Sequence, residues 1–329
     1  MLGTQHFHGC VRLQIVLSEP VRDNWSMITR REILAYGTAV ASGLPFQNAS
    51  TWLPLTKPSP LMIFEKVLQN LSPKELAKTL VEIGADGVEV AIRPGGRIVP
   101  AEAEQKIPEL VKALNQQDKK IFVATTNITS VTPESKQLLK ILADHQIPQY
   151  RMGYYRWSKK RNWNQQWLDV EKQIGELADL NRELGITGLY QNHAGNKYYG
   201  ALVYEMLSIL SRIGVDEISL ALDLRHLRAE AGLSWSTIAE VAANRIGCIY
   251  IKDARWQGPK SQQLENVPLG NGFVDREMFE QVRKRCPAAP ISLHVEYHGG
   301  KPLQGPALQQ AIESFRLDTK KLRHWMTSP

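Results

Sequence analysis

Cysteine is scarce in this sequence: three residues in 329, Cys10, Cys248 and Cys286, none of them in a CxxC pair. That number and spacing exclude a disulfide framework and a zinc ribbon. Cys248 sits inside the apolar run IGCIYI, the setting of a small buried hydrophobe. Long apolar runs are missing too. The stretch ILAYGTAVASGL at 33–44 is too short and too rich in small residues to span a bilayer, so no membrane span is expected. Neither the dinucleotide-binding glycine fingerprint nor a P-loop follows any apolar segment, which argues against a nucleotide cofactor. The charge excess is small as well. Forty basic residues against 33 acidic ones give +7, spread along the chain, so no nucleic-acid partner is expected. What remains, 43% hydrophobic and 22% charged residues, is ordinary for a globular chain.

The N-terminal segment has its own pattern. Residues 29–34 read TRREIL, and no further charge appears until Lys57. A paired arginine (Arg30, Arg31), a moderately apolar stretch and small-residue sites such as Ala39-Val40-Ala41 resemble a twin-arginine export signal. The resemblance implies an exported, periplasmic protein, translocated folded. Residues 1–26 are then an extension or an upstream start, 27–50 the signal segment, 60–316 the folded domain and 317–329 a C-terminal tail.

From residue 60 onward apolar runs alternate with helical patterns. The runs are LMIFEKVL (61–68), GVEVAI (87–92), KIFVATT (120–126), YRMGYY (150–155), TGLYQ (187–191), EISLALD (217–223), GCIYIKD (247–253) and ISLHVEY (291–297). Between them lie helices, the first opening on Ser72-Pro73-Lys74-Glu75, a capping box with proline at the first helical position. The last is expected near 305–315. Eight strands and eight helices in strict alternation, with non-alternating apolar strands, predict an α/β fold. A single-domain (β/α)8 TIM barrel fits them better than an open sheet.

In such a barrel the C-terminal strand ends carry the site. Those ends supply Glu89 and Arg93, then Tyr155 and Arg156, then Gln191, Asn192 and His193. After them come Asp223 and His226, Lys252 with Arg255 and Trp256, and finally Glu296 and His298. A capping surface needs far fewer polar groups. Aromatic faces in the same loops suit the apolar face of a sugar ring, and amides and charges suit its hydroxyls. Glu89, Arg93, Tyr155, Arg156, Asn192, Arg255, Trp256 and His298 are therefore the expected substrate contacts. Arg93 and Arg97 of RPGGR could also meet a phosphate or carboxylate.

The DxxH ending the sixth strand, the YIKD ending the seventh, Glu296 and the loop VPLGNGFVDREMF (267–279) resemble the xylose isomerase-like barrels, over about residues 60–316. That family includes sugar phosphate isomerases and epimerases and inosose dehydratases. The resemblance implies a divalent metal held by strand-end residues, here Gln191, Asp223 and Glu296. Gln191 stands where the family has a glutamate, and Tyr250 where it has a histidine. Two carboxylates and an amide could still hold Mn2+, Mg2+ or Zn2+, so metal binding stays open. The family's glutamate pair works as acid and base, and Gln191 can do neither. One-base chemistry remains: Glu296 takes a proton next to a carbonyl, Lys252 or Arg255 steadies the oxyanion, and His193 or His226 protonates the departing group. The expected ligand is an unphosphorylated sugar, cyclitol or keto-glycoside, undergoing isomerisation, elimination or hydration. A non-catalytic carbohydrate-binding barrel with a degraded metal site is the alternative. A nuclease of the endonuclease IV type is a more distant one, prompted by RWSKKRNW (156–163). Oligomeric state is open.

Overall fold

The computed structural model describes residues 59–258 and 263–327. The export-signal segment and the residues before it lie outside the described residues. Seven strands lead the chain: β1 (Leu61–Phe64), β2 (Gly87–Ala91), β3 (Lys120–Thr125), β4 (Gln149–Arg151), β5 (Thr187–Gln191), β6 (Ile218–Asp223) and β7 (Ile246–Ile251). A hairpin of β8 (Asp253–Gln257) and β9 (Gln263–Val267) follows, and β10 (Ile291–Leu293) comes last. Strands β1 to β7 and β10 form a closed, all-parallel barrel in sequence order. Pairing of Leu61 with Ile291 through Ile63 with Leu293 closes β10 onto β1. The expected (β/α)8 barrel is the architecture observed.

Nine helices occur among the described residues: α1 (Pro73–Ile83), α2 (Ala103–Asn115), α3 (Pro133–Asp144), α4 (Trp163–Leu184), α5 (Val203–Leu210), α6 (Leu224–Ala231), α7 (Trp235–Ala242), α8 (Arg276–Arg285) and α9 (Gly305–Thr327). Helix α1 starts on the predicted capping box. The Ser72 hydroxyl accepts from the Glu75 amide at 3.3 Å, and the Glu75 carboxylate accepts from the Ser72 amide at 2.7 Å. It stops at Gly84, whose φ of 83° suits glycine.

Side-chain alternation along the strands sorts the core into two parts. Met62, Val123, Leu189, Ala221 and Cys248 pack together inside the barrel, with Tyr250. Their neighbours Ile63, Val88, Val90, Leu220, Leu222 and Ile249 belong to the larger core shared with the helices. Cys248 is fully buried and behaves as the expected hydrophobe.

Several boundaries differ from expectation. β4 covers 149–151 and β10 covers 291–293, because the chain leaves the barrel wall once its site residues begin. Helix α6 follows β6 directly, with Asp223 as its N-cap. The hairpin β8–β9 was not foreseen in the stretch before the VPLGNG loop. The expected tail from residue 317 is helix through Thr327, and Leu322, Trp325 and Met326 of that stretch are buried. No helix among the described residues is long and apolar enough to cross a membrane.

Candidate active site

The inward-facing positions that are apolar at the barrel base turn polar at its C-terminal end. Lowest is Glu89 of β2, fully buried. Its carboxylate accepts from Tyr250 Oη at 2.9 Å, Ser292 Oγ at 2.6 Å and the Thr125 hydroxyl. His294 Nε2 lies 3.1 Å away and Arg151 Nη1 3.8 Å away. Burial alone would raise this carboxyl. The adjoining His294 and Arg151, with the hydrogen bonds, reverse that and hold it at about 2.

Above it, Gln191 of β5 is held at both ends. Its carbonyl oxygen accepts from Arg151 Nη1 at 2.8 Å and from the Tyr154 hydroxyl, and its NH2 donates to Asp223 Oδ2 at 2.7 Å. The orientation is forced, since arginine only donates and a carboxylate only accepts. Asp223 also caps α6, accepting from the His226 amide at 3.1 Å. Lys252, just past β7, places its ammonium 3.1 Å from Asp223 Oδ2 and 3.4 Å from Glu296 Oε2. Burial pulls the lysine down, but the two carboxylates hold it above its ordinary value. Burial likewise pushes Glu296 up, yet Lys252, His294 and Lys66 outweigh it and hold its carboxyl far below the usual range.

The two candidate histidines lie with ring centroids 4.1 Å apart and their planes tilted by 34°. His193 Nδ1 sits 2.9 Å from the Ala194 carbonyl oxygen. That oxygen can only accept, so Nδ1 carries the proton and Nε2 keeps its lone pair. In His226, Nδ1 is 3.1 Å from Arg225 Nη1, a donor. The proton therefore sits on Nε2, which is buried and makes no hydrogen bond. Burial and the nearby Lys252 lower both histidines, His226 well below the ordinary value, so His226 is a neutral donor. Tyr154, His193 and Tyr198 form a half-exposed aromatic wall, with Tyr154 and Tyr198 5.2 Å apart.

The structure thus brings together Glu89, Gln191, His193, Asp223, His226, Lys252 and Glu296. Other expected residues lie elsewhere. Asn192, the residue directly after β5, is turned away to brace the Asp223 backbone, accepting from its amide at 2.7 Å and donating to its carbonyl at 3.2 Å. Tyr155 is buried against Tyr190, its hydroxyl on the Thr129 carbonyl at 2.6 Å. Arg156 is exposed, 5.0 Å over the Tyr198 ring. Arg255 pairs with Glu265 across the hairpin at 2.6 Å, and Trp256 beside it is exposed. His298 turns to Ser314 of α9 at 2.8 Å. Arg97 pairs with buried Glu65 and donates to Leu68 and Leu71 carbonyls, so it is structural and does not await an anion. Arg93 is half-buried, and its position among Arg151, Tyr154, Glu89 and Glu296 puts it at this cluster. Trp157 of the basic segment is stacked on Tyr199 at 3.6 Å, so that face is already covered.

Sequence reasoning missed Arg151 and His294. Each is a charged or polar residue in the middle of an apolar run (YRMGYY, ISLHVEY), and that was the signal available.

The residues as placed do not suit a divalent cation. The Gln191 oxygen is filled by two donors, Lys252 lies against both carboxylates, and the Tyr250 hydroxyl is spent on Glu89. Among the described residues no group of three or more His, Cys, Asp or Glu side chains is arranged to hold a metal ion.

A family model described as xylose isomerase-like TIM barrel matches residues 77–317. The chain belongs to the xylose isomerase-like TIM barrel family. No curated protein sequence matches it. Solved structures similar to this xylose isomerase-like barrel include the 3-keto-D-glucoside 4-epimerase YcjR from E. coli. It is 12% identical with a TM-score of 0.60, over 80% of this chain and 99% of that one. A D-psicose 3-epimerase from Clostridium cellulolyticum H10, solved with D-tagatose, is 11% identical with a TM-score of 0.58, over 81% and 98%. The probable 3-DHS dehydratase AsbF of Bacillus anthracis is 12% identical with a TM-score of 0.61, over 80% and 98%. At such identities the likeness is one of fold.

Proposed function

We propose that this xylose isomerase-like barrel is an enzyme that moves a proton at a carbon next to a carbonyl of an unphosphorylated sugar, cyclitol or keto-glycoside. The outcome is isomerisation, epimerisation or elimination and hydration. The observation that carries the reading is the Asp223–Lys252–Glu296 contact directly beside two histidines of opposite tautomer. Supporting it, similar folds include sugar epimerases and a dehydratase.

The Lys252 ammonium donates to the substrate carbonyl oxygen and steadies the negative charge that grows there on enolisation. His193, with a free Nε2 lone pair, takes the proton from the neighbouring carbon. Glu296 is better suited to holding Lys252 and accepting from sugar hydroxyls than to being the base proposed from sequence, because a carboxylate held so far down binds a proton weakly. The His226 Nε2–H donates to a second substrate oxygen. Arg93 reaches hydroxyls at the rim, and the wall of Tyr154 and Tyr198 covers one ring face.

Solvent deuterium exchange tests this. Incubated in D2O with ketoses, aldoses and 3-keto-glycosides, the protein is expected to incorporate deuterium next to the carbonyl of at least one. Saturable binding without exchange in any would instead favour the non-catalytic carbohydrate-binding reading, which the fully paired carboxylates also support. Export rests on Arg30 and Arg31. Replacing both by lysine is expected to retain the protein in the cytoplasm, and unchanged periplasmic recovery would contradict it.

A further inference from the structure

We infer that Lys252 and the Gln191 amide take the place of a divalent metal in this barrel, so that the site is complete without one. The inference concerns the same site as the proposed proton transfer but stands on geometry alone. Asp223 Oδ2 is met from two sides, by a hydrogen bond from Gln191 Nε2 at 2.7 Å and by the Lys252 ammonium, ion-paired at 3.1 Å. A glutamate at 191 would set two carboxylate oxygens in contact there, and only a cation or a shared proton could hold them together. The glutamine NH2 removes that requirement. Arg151, donating to the other end of the amide at 2.8 Å, prevents it from turning its oxygen towards a cation.

The remaining acid is satisfied in the same way. Lys252 reaches Glu296 Oε2 at 3.4 Å, and its side chain is 5% exposed. A divalent ion entering between Asp223 and Glu296 would have to expel an ammonium already bound to both. It would also stand beside the Arg151 guanidinium, and desolvated like charges repel strongly. The cation that results differs from a metal in kind. An ammonium is a single charge with three N–H donors, and because this one already contacts Asp223 and Glu296 it has room for one substrate oxygen, where a metal would offer several coordination positions. The substrate class is therefore a carbonyl compound recognised through one oxygen at Lys252, with its neighbouring hydroxyl left to His226.

Isothermal calorimetry on the EDTA-treated, desalted protein, titrated separately with Mn2+, Mg2+ and Zn2+, tests this without any substrate. The expected result is no saturable heat. One-to-one binding that disappears in Asp223→Asn or in Glu296→Gln overturns the inference, and the second variant, at a partly exposed position, serves if the first does not fold. Binding that both variants retain lies outside this site and leaves the inference standing. Failure to exchange deuterium with any sugar would count against the proposed reaction and not against this result.

Discussion

Gln191 and Glu89 differ from the surrounding core in one respect: each is a buried polar group held by several polar side chains, all of them buried around Glu89 and all but Tyr154 around Gln191. Such networks are stable only when fully satisfied. For Glu89 this has a consequence in pH. Its carboxyl titrates near 4.5 in an ordinary setting and at about 2 here. The ionised form is therefore favoured by folding, the stabilisation is complete above pH 4.5, and it is lost as pH falls through about 2. The shift corresponds to roughly 3 kcal/mol. Urea unfolding across pH 2 to 6 is expected to show that loss in the native protein, and a flatter acid limb in Glu89→Gln. An unchanged limb in the variant would contradict the assignment. At His193 the shift has the same direction, but the form it favours is the neutral base. Burial and Lys252 lower it, so the base form is present across neutral pH and is lost only on acidification. The exchange rate is expected to fall below an inflection lying under pH 6.5 and to lose that inflection in His193→Gln.

Among the elements, the loop after the hairpin shows what a motif legible in the sequence does in the fold. Asp253 of the YIKD motif accepts from the amides of Ala254 at 2.7 Å, Gly272 at 2.7 Å and Val274 at 2.8 Å. The PLGNGFVD segment is thus tied to the barrel by one carboxylate, and a methyl group on Gly272 would stand 2.1 Å from the Ala254 carbonyl oxygen. Gly272→Ala is expected to cost about 2–4 kcal/mol through this overlap and the lost hydrogen bond. A Tm within a degree of the native protein would refute it. The same scale explains which site residues were readable from sequence. Strand ends were identified because their apolar runs stop at charged residues. Which of two neighbours faces inward needed the alternation of the strand, and that separates Gln191, in the site, from Asn192, behind it. Arg255 and Trp256 were displaced because the hairpin carries the chain out of the barrel directly after Lys252, and composition alone does not signal that turn. His294 was hidden because an imidazole inside ISLHVEY reads as an ordinary strand residue until its neighbours across the barrel are known.

For the whole molecule, the alternation of eight apolar runs with helical segments sufficed for the barrel, since closure buries both faces of a parallel sheet. C-terminal helix α9 was read too short because its second half presents many charges, RLDTKKLRH, although Leu322 and Trp325 still pack inward. Termination after residue 316 is accordingly expected to destabilise the barrel by several kcal/mol, about the value of burying a few large side chains. Thermal unfolding would check it, and a truncated chain with native Tm would show the segment to be the tail that the sequence suggested. The proposed proton transfer turns on one claim, that Lys252 is the electrophile at the polar mouth of the barrel. Deuterium exchange into a keto-sugar, followed by NMR in D2O for the native protein and Lys252→Met, tests it most directly. Exchange by the native protein and its loss in a folded Lys252→Met, with the sugar still bound, is the expected result. Exchange at the native rate in that variant would contradict the account.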